Sequence, residues 1–233
     1  MVWIRHRGGP NAPPLPVPEE RTYSDIRATI ADEKGDEWEM RPGRLAPRPL
    51  SQNPLNSISS WNFPSYPRRG RVLKFRIYVR NSSDQWDTLA EFKMPNPTPG
   101  PHPVWKPMTL PMTLANGDLE VSLVDLVSGK RALRYLPKDQ RPFTTTRFRV
   151  KQNSEPTEAW LPDLMDATDA TGNEADFGVI DYGITNAIIS YDAQGTSMSP
   201  SEVWRLRMRF RRENDSGPDE MRYFEFFAQP IVQ

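Results

Sequence analysis

The chain has 233 residues, with 30 Lys and Arg balanced by 30 Asp and Glu, 25 prolines and no cysteine. The missing cysteine excludes disulfides, thiol catalysis and cysteine-based metal centres, and the balanced charge argues against general binding of nucleic acid or anionic membrane. Prolines at about twice the usual share disfavour long helices, because each one removes a backbone donor and fixes φ.

The N-terminal region combines a Pro-rich leader with one short hairpin. Residues 8–18 are dominated by proline and glycine, so we predict a flexible Pro-rich tail over residues 1–20. Residues 26–30 and 38–40 flank a polar turn and predict a hairpin with Gly35 at positive φ. A short helix beginning at Ser24 and capped by Gly35 is the alternative.

The middle of the chain shows strong strand periodicity after an irregular Pro-rich stretch over residues 41–70. Apolar and polar residues alternate from Leu73 to Val79, which predicts a half-buried strand that returns over residues 86–92. Prolines crowd residues 95–111 and predict a long exposed connection. Further strands are expected at residues 119–124, after a turn at Asn116–Asp118, and at residues 146–150.

Charge is segregated in the second half of the chain. Residues 130–151 are strongly basic, whereas residues 152–204 contain no Lys or Arg and carry Glu155, Glu158, Asp163, Asp166, Asp169, Glu174, Asp176, Asp181, Asp192 and Glu202. Such segments can neutralise each other, attract a cation or offer a charged face to a partner.

The last third of the chain predicts turns and three more strands. Residues 170–173 predict a turn with Gly172 or Asn173 at positive φ, and residues 187–191 read as a strand. Ser199 before Pro200 indicates one capped helical turn that leads into a strand over residues 204–211. The final strand, residues 222–227, carries aromatic residues on both faces, and we expect it to be central in a sheet.

Trp160, the run Asp169–Asn173 and the pattern Pro-x-Glu-x-Trp-Arg-Leu-Arg at residues 200–207 resemble the C-terminal β module of some uncharacterised bacterial proteins. The resemblance covers the last third and implies a bacterial, envelope-associated protein. It transfers no catalytic residue.

Short strands with frequent turns and almost no helical periodicity predict an all-β fold built as an antiparallel β-sandwich, either one elaborated or two small sandwiches after the irregular leader. We expect three regions: the tail at 1–20, a β-rich domain at 21–150, and a second β-rich module at 151–233 that is either separate or part of the same sandwich.

Catalytic motifs are absent from the sequence. Only His6 and His102 could serve a Ser-His-Asp triad, and no nucleophile elbow, His-Glu-x-x-His motif or phosphate-binding loop occurs. We therefore expect no enzyme, although paired carboxylates keep glycoside hydrolysis as an alternative.

Two candidate sites emerge. Calcium favours oxygen ligands gathered on loops, so the calcium alternative uses Asp163, Asp166, Asp169, Asn173 and Asp176, although their spacing is not that of an EF-hand. The second site is an interaction face. Because side chains alternate across a strand, one face should present Arg205, Arg207, Arg209 and Arg211, and the aromatic residues of this strand should face the core.

We expect the arginines to pair with acidic groups on neighbouring strands or in the acidic stretch, because aligned like charges are unfavourable. The leading hypothesis is a non-enzymatic bacterial interaction or assembly module with a protein partner. The alternative is a carbohydrate- or calcium-linked binding domain. No nucleic-acid partner is expected, because the net charge is balanced. No membrane span is expected either, since no apolar run approaches roughly 18 residues. An envelope or extracytoplasmic location is favoured over the cytoplasm.

Overall fold

The computed structural model describes residues 2–7, 26–33, 37–42, 48–49, 56–62, 66–81, 83, 85–133, 136–175, 180–185, 187–194, 198–213 and 218–232. Every regular element in these ranges is a strand: β1 (Val2–Arg7), β2 (Ile26–Ala31), β3 (Glu37–Pro42), β4 (Arg48–Pro49), β5 (Asn56–Asn62), β6 (Val72–Arg80), β7 (Trp86–Pro95), β8 (Met112–Asn116), β9 (Leu119–Leu133), β10 (Leu136–Gln152), β11 (Glu155–Pro156), β12 (Leu161–Asp169), β13 (Ile180–Thr185), β14 (Ile188–Gln194), β15 (Trp204–Arg212), β16 (Glu220–Ala228) and β17 (Ile231–Val232). The all-β prediction is confirmed. The described ranges accordingly hold no helix of the length and apolarity that crossing a membrane requires.

The chain divides into two compact units, residues 1–99 and 100–233. The N-terminal unit is one seven-stranded sheet with the order β1-β5-β3-β2-β6-β7 and with β4 paired to β5. The predicted hairpin is confirmed, because β2 and β3 pair antiparallel from Ala28–Met40 to Ala31–Glu37. Gly35 lies outside the described residues.

Strand β6 shows why the alternating pattern of the N-terminal unit dictates its sheet. Leu73, Phe75, Ile77 and Val79 are buried, whereas the residues between them are half-exposed. Ile30 of β2 lies opposite Phe75 on the same face, and Trp38 of β3 continues that face. One apolar and one polar face result, as the period of two requires.

The C-terminal unit is a sandwich of two sheets. One has the order β13-β14-β10-β9-β17, with β8 paired to β9 and β11 to β10, and the other has the order β12-β15-β16. Between them lies a core that includes Leu123, Leu126, Phe148, Trp204, Leu206, Phe210 and Phe226, all completely buried. The rings of Phe148 and Phe226 join the two sheets at a centroid distance of 5.7 Å. Each such side chain contributes roughly 1.5–3 kcal/mol when fully buried.

Two predicted turns are confirmed by their backbone angles. Gly117 has φ +65° in the two-residue connection between β8 and β9, and Gly172 has φ +85° after β12. Glycine adopts this left-handed region without the steric cost that a Cβ brings.

Several local expectations differ from the structure. Val2–Arg7, assigned to the flexible tail, forms β1 and pairs with β5, and β5 itself lies in the stretch expected to be irregular. Strand β16 is not central, because among the described strands it pairs only with β15. Ser199–Glu202 forms a single hydrogen-bonded turn without helix. The division at residue 150 stays a prediction, and that residue lies within β10.

Candidate interaction face

Strand β15 separates apolar and cationic residues onto two faces. Trp204, Leu206, Met208 and Phe210 are completely buried. The intervening residues are at least partly exposed and carry the predicted row of arginines, Arg205, Arg207, Arg209 and Arg211. The outer surface of the β12-β15-β16 sheet, which we call the outer face, is therefore built around these four guanidinium groups.

Strand β12 supplies acidic partners from the acidic stretch. Asp163 lies opposite Arg209 and Asp166 lies opposite Arg207, and both pairs form ion pairs. The two aspartates are three residues apart, a spacing that places side chains on opposite faces of a regular strand. A register shift between Leu164 and Asp166 inserts one extra residue, and this β-bulge brings both carboxylates to the outer face.

The ends of the arginine row are paired by other segments. The Arg205 guanidinium lies 3.4 Å from Glu225 of β16, and Arg211 lies 3.5 Å from both Glu213 and Asp219. Arg205, Arg207 and Arg209 thus pair with acids on neighbouring strands, as expected, and the partners of Arg207 and Arg209 belong to the acidic stretch. Arg211 instead pairs with two acids that lie between β15 and β16.

The Arg207–Asp166 pair has the most direct hydrogen bonding. Arg207 Nε donates to Asp166 Oδ2 at 2.7 Å. This hydrogen bond and the charge of Asp166 raise the pKa of Arg207 above its ordinary value. Both side chains are partly exposed, so water and salt screen their attraction.

The outer face also carries large apolar and aromatic side chains, which come from β16, whereas the aromatic residues of β15 face the core as expected. Tyr223 lies opposite Arg209 and Met221 opposite Arg211, and they are 54% and 41% exposed. The Tyr223 hydroxyl lies 3.6 Å from the Met221 sulfur, so the two form one patch. The register of β15 against β16 places odd-numbered residues of both strands on this face.

A second aromatic group lies near the Arg205 end of the outer face. Phe227 is opposite Arg205, and Trp105 meets the Phe227 ring edge to face at 5.3 Å. The Arg205 guanidinium lies 5.7 Å from the Trp105 ring centroid, within the range of a cation–π contact. Met108 N donates to Phe227 O at 2.8 Å, so the Pro-rich connection is anchored along β16.

Asp169, a predicted metal ligand, is the acceptor of a buried turn. Its side chain lies on the inner side of the sheet, and the residue is only 2% exposed. Asp169 Oδ1 accepts hydrogen bonds from Thr171 N (2.8 Å), Thr171 Oγ1 (2.7 Å) and Asn173 N (2.9 Å). Asp169 Oδ2 accepts a fourth from Asn173 Nδ2 at 2.8 Å. Protein donors therefore use both oxygens of this carboxylate.

The structure groups the predicted calcium ligands into separate environments. Asp169 and Asn173 are joined by hydrogen bonds on the inner side, whereas Asp163 and Asp166 face arginines on the outer side. Asp176 lies outside the described residues. Within the described part of the chain, no group of three or more His, Asp or Glu side chains is placed to hold a metal ion. Calcium binding stays a prediction.

The two histidines lie in different units. His6 is in β1, where its backbone lies opposite Ser57, and His102 is a partly exposed residue of the Pro-rich connection. The chemistry of the outer face is therefore that of paired charges and apolar contacts.

No family model and no curated protein matches this sequence significantly. Among solved structures, the chain is similar to the crystal structure of a DUF4426 family protein from Pseudomonas aeruginosa PAO1, with a TM-score of 0.34 and 16% sequence identity. The similarity covers 52% of this chain and 95% of that chain. Function is therefore inferred from the chain's own geometry.

Proposed function

We propose that this chain is a non-enzymatic interaction module that binds a folded protein partner through the outer face. The observation that carries this proposal is the exposed Tyr223–Met221 patch, which lies among ion-paired arginines on a three-stranded sheet. The bacterial origin and envelope location suggested by the sequence stay predictions.

The composition of the outer face favours a protein partner. Aromatic residues, Met and Arg are enriched where proteins bind one another, and the strongest anchors are large side chains near the centre of an interface. Tyr223 and Met221 supply apolar area, while Arg207 and Arg209 supply polar groups around it. The core beneath β15 and β16 fixes the strand backbone from which these side chains project.

The charges of the outer face disfavour a polyanionic partner. Each arginine of the row lies within 4.0 Å of a carboxylate of the same chain. A phosphate backbone or an acidic polysaccharide would have to compete with these carboxylates. Affinity for nucleic acid depends on cationic side chains that neutralise phosphates and so release the counterions of the nucleic acid. A protein surface can instead cover the ion pairs without breaking them.

Site-specific photocrosslinking in the organism that encodes the chain tests this proposal. A photoreactive phenylalanine analogue at Tyr223 should trap one discrete partner, whereas the same analogue at Val104, which is 85% exposed, should not. Purified partner should then bind the parent chain in calorimetric titration. The double variant Tyr223→Ser and Met221→Ser should lose most of that binding while its melting temperature stays near that of the parent.

The matched control is Val104→Ser, which removes an exposed apolar residue outside the outer face. The proposal fails if positions 223 and 104 trap the same species, or if the double variant binds the trapped partner as tightly as the parent does.

A further inference from the structure

Strand β7 ends the seven-stranded sheet of the N-terminal unit, and among the described strands only β6 pairs with it. A strand in this position carries a row of backbone N–H and C=O groups on the side away from its neighbour. Such an edge accepts a further strand when the side chains of both strands match on each face.

Only a short segment of β7 is regular enough to pair with a further strand, and a bulge and a proline mark its two ends. Ala90–Met94 runs in unbroken register against Leu73–Ile77 of β6. A register shift at Leu89 bulges the strand just before this segment, and Pro95, which lacks an amide hydrogen, ends it. Regular pairing is therefore confined to these five positions and the residues at their margins.

The two faces of this segment differ. Ala90, Phe92 and Met94 lie opposite buried apolar residues of β6, and Glu91 and Lys93 lie opposite Arg76 and Lys74 on the polar face. Phe92 contacts Phe75 at a centroid distance of 6.3 Å, yet it remains 51% exposed. A large apolar side chain is thus left half exposed in the middle of an edge strand.

We propose that Ala90–Met94 pairs antiparallel with the same segment of a second copy of this chain, about a twofold axis through Phe92. In this register Phe92 lies opposite its own copy, and Ala90 lies opposite Met94. Glu91 lies opposite Lys93 twice, once on each side of the axis. Residues directly opposite in an antiparallel pair share a face, so aromatic meets aromatic and acid meets base.

Charge complementarity identifies the occupant as a second copy. An acid and a base placed symmetrically about a central aromatic residue become complementary to themselves when the strand is reversed. The Arg76 guanidinium, 2.7 Å from Glu91, lowers the pKa of Glu91, so its carboxylate is charged over the neutral range. A twofold contact of this kind is self-complementary and closes at the dimer.

Sedimentation velocity on the full chain tests the pairing through charge reversal. The parent should self-associate in a concentration-dependent way. Lys93→Glu and Glu91→Lys each create two like-charge contacts across the axis, and each should weaken association by about tenfold or more. An equimolar mixture of the two variants should associate again. The Lys93→Glu chain carries acids at positions 91 and 93, the Glu91→Lys chain carries bases at both positions, and each acid then lies opposite a base.

Two further variants distinguish edge pairing from non-specific hydrophobic association. Phe92→Ser should weaken association, whereas Val104→Ser, which removes a more exposed apolar residue in the other unit, should leave it unchanged. Thermal melting verifies that each variant folds. If Glu91→Lys fails to fold, Lys93→Glu still tests the proposal, because it leaves the Arg76–Glu91 ion pair intact.

Three outcomes overturn the proposal. The first is a parent chain that stays monomeric at every concentration. The second is a Lys93→Glu variant that associates as strongly as the parent. The third is a mixture of folded charge-reversed variants that associates no better than either variant alone.

Discussion

Asp169 illustrates how one buried carboxylate can organise a turn. It accepts four hydrogen bonds from Thr171 and Asn173 while nearly inaccessible to water, and Gly172 in the left-handed region lets the chain fold back onto it. The sequence predicted the turn and placed a positive φ at Gly172 or Asn173, and the structure has it at Gly172. The sequence did not predict the carboxylate's role, because a run of acids looks the same whether its members face donors or solvent.

Replacing Asp169 with Ala should lower the free energy of unfolding by about 2–4 kcal/mol, because several buried donors would lose a charged acceptor. The matched control is Asp163→Ala in the same strand, whose partly exposed ion pair contributes only about 0–1 kcal/mol. Urea unfolding measures both. Equal effects at the two positions would show that Asp169 has no special structural role.

The β10–β11 hairpin contains a turn that favours glycine but has none. Asn153 and Ser154 form its two-residue connection with φ of +50° and +68°. Two consecutive positive angles match a type I′ turn, for which Asn-Gly is preferred. The sequence did not predict this turn, because the glycine that usually marks a type I′ turn is absent.

Ser154→Gly should therefore raise the free energy of unfolding, by about 0.5–1 kcal/mol, because glycine enters the left-handed region without Cβ crowding. Ser154→Ala, which keeps the Cβ, should not stabilise the protein. Thermal and urea unfolding compare the two variants. Stabilisation by alanine to the same extent would point to the loss of the hydroxyl as the cause.

At the scale of elements, the bulge in β12 decides how the charge segregation of the sequence is resolved. Without the extra residue between Asp163 and Asp166, only one of these carboxylates could reach the arginine row. A bulge changes the face of every following residue, and no glycine or repeat marks it in the sequence. The pairing of basic with acidic segments was predictable, whereas the pairing of individual residues was not.

The double variant Arg207→Gln and Arg209→Gln should lower the melting temperature in low salt, and the difference should shrink as salt screens the ion pairs. Binding to a generic polyanion such as heparin should stay negligible for both chains near physiological salt. Parent binding at micromolar strength with a steep salt dependence, lost in the double variant, would contradict internal pairing.

Polar groups surround Trp160, a buried tryptophan of the sandwich core. The guanidinium groups of Arg212 and Arg222 lie 5.1 and 5.7 Å from the Trp160 ring centroid, and Glu220 forms ion pairs with both arginines. Trp160 Nε1 donates to Gln152 Oε1 at 3.3 Å. Four polar residues from β10, β15 and β16 thus gather around the Trp160 side chain.

Gln152 also forms a hydrogen bond that makes the stability of the fold depend on pH. Its Nε2 donates to Asp118 at 2.6 Å and thereby lowers the pKa of Asp118 below its ordinary 3.8. A carboxyl with a lower pKa in the folded state stabilises the fold above its unfolded-state pKa, and this contribution is lost as pH falls through the folded-state pKa. Stability should therefore decline below about pH 4.

Asp118→Asn should make the loss of stability with acid shallower, and Gln152→Met should do the same because it removes the donor. Urea unfolding between about pH 2 and pH 5 provides the measurement. An acid dependence as steep in both variants as in the parent would show that this hydrogen bond is not its source.

At the scale of the molecule, the two units have separate cores. Among the described residues, the core cluster of the C-terminal unit consists of residues between Leu110 and Ala228, and one core cluster of the N-terminal unit consists of residues between Ile30 and Met94. A domain with its own core can in principle fold alone.

Residues 100–233 expressed alone should therefore unfold cooperatively, with a β-dominated circular dichroism spectrum and a melting temperature near that of the corresponding transition in the full chain. Thermal denaturation followed at both near- and far-ultraviolet wavelengths measures this. A non-cooperative transition for the isolated unit would show that its core depends on residues 1–99.

The sequence by itself determined the all-β class, the strands with clean alternation and the glycines of two turns, because these depend on neighbours a few residues apart. Strands β5 and β12 were missed, since proline-rich and acidic segments become strands only when a partner strand supplies their hydrogen bonds. The tertiary structure alone decided that Asp163 and Asp166 share a face, that Tyr223 lies beside the arginines and that β7 is an edge. Those outcomes depend on bulges and strand order, which arise from contacts between distant parts of the chain.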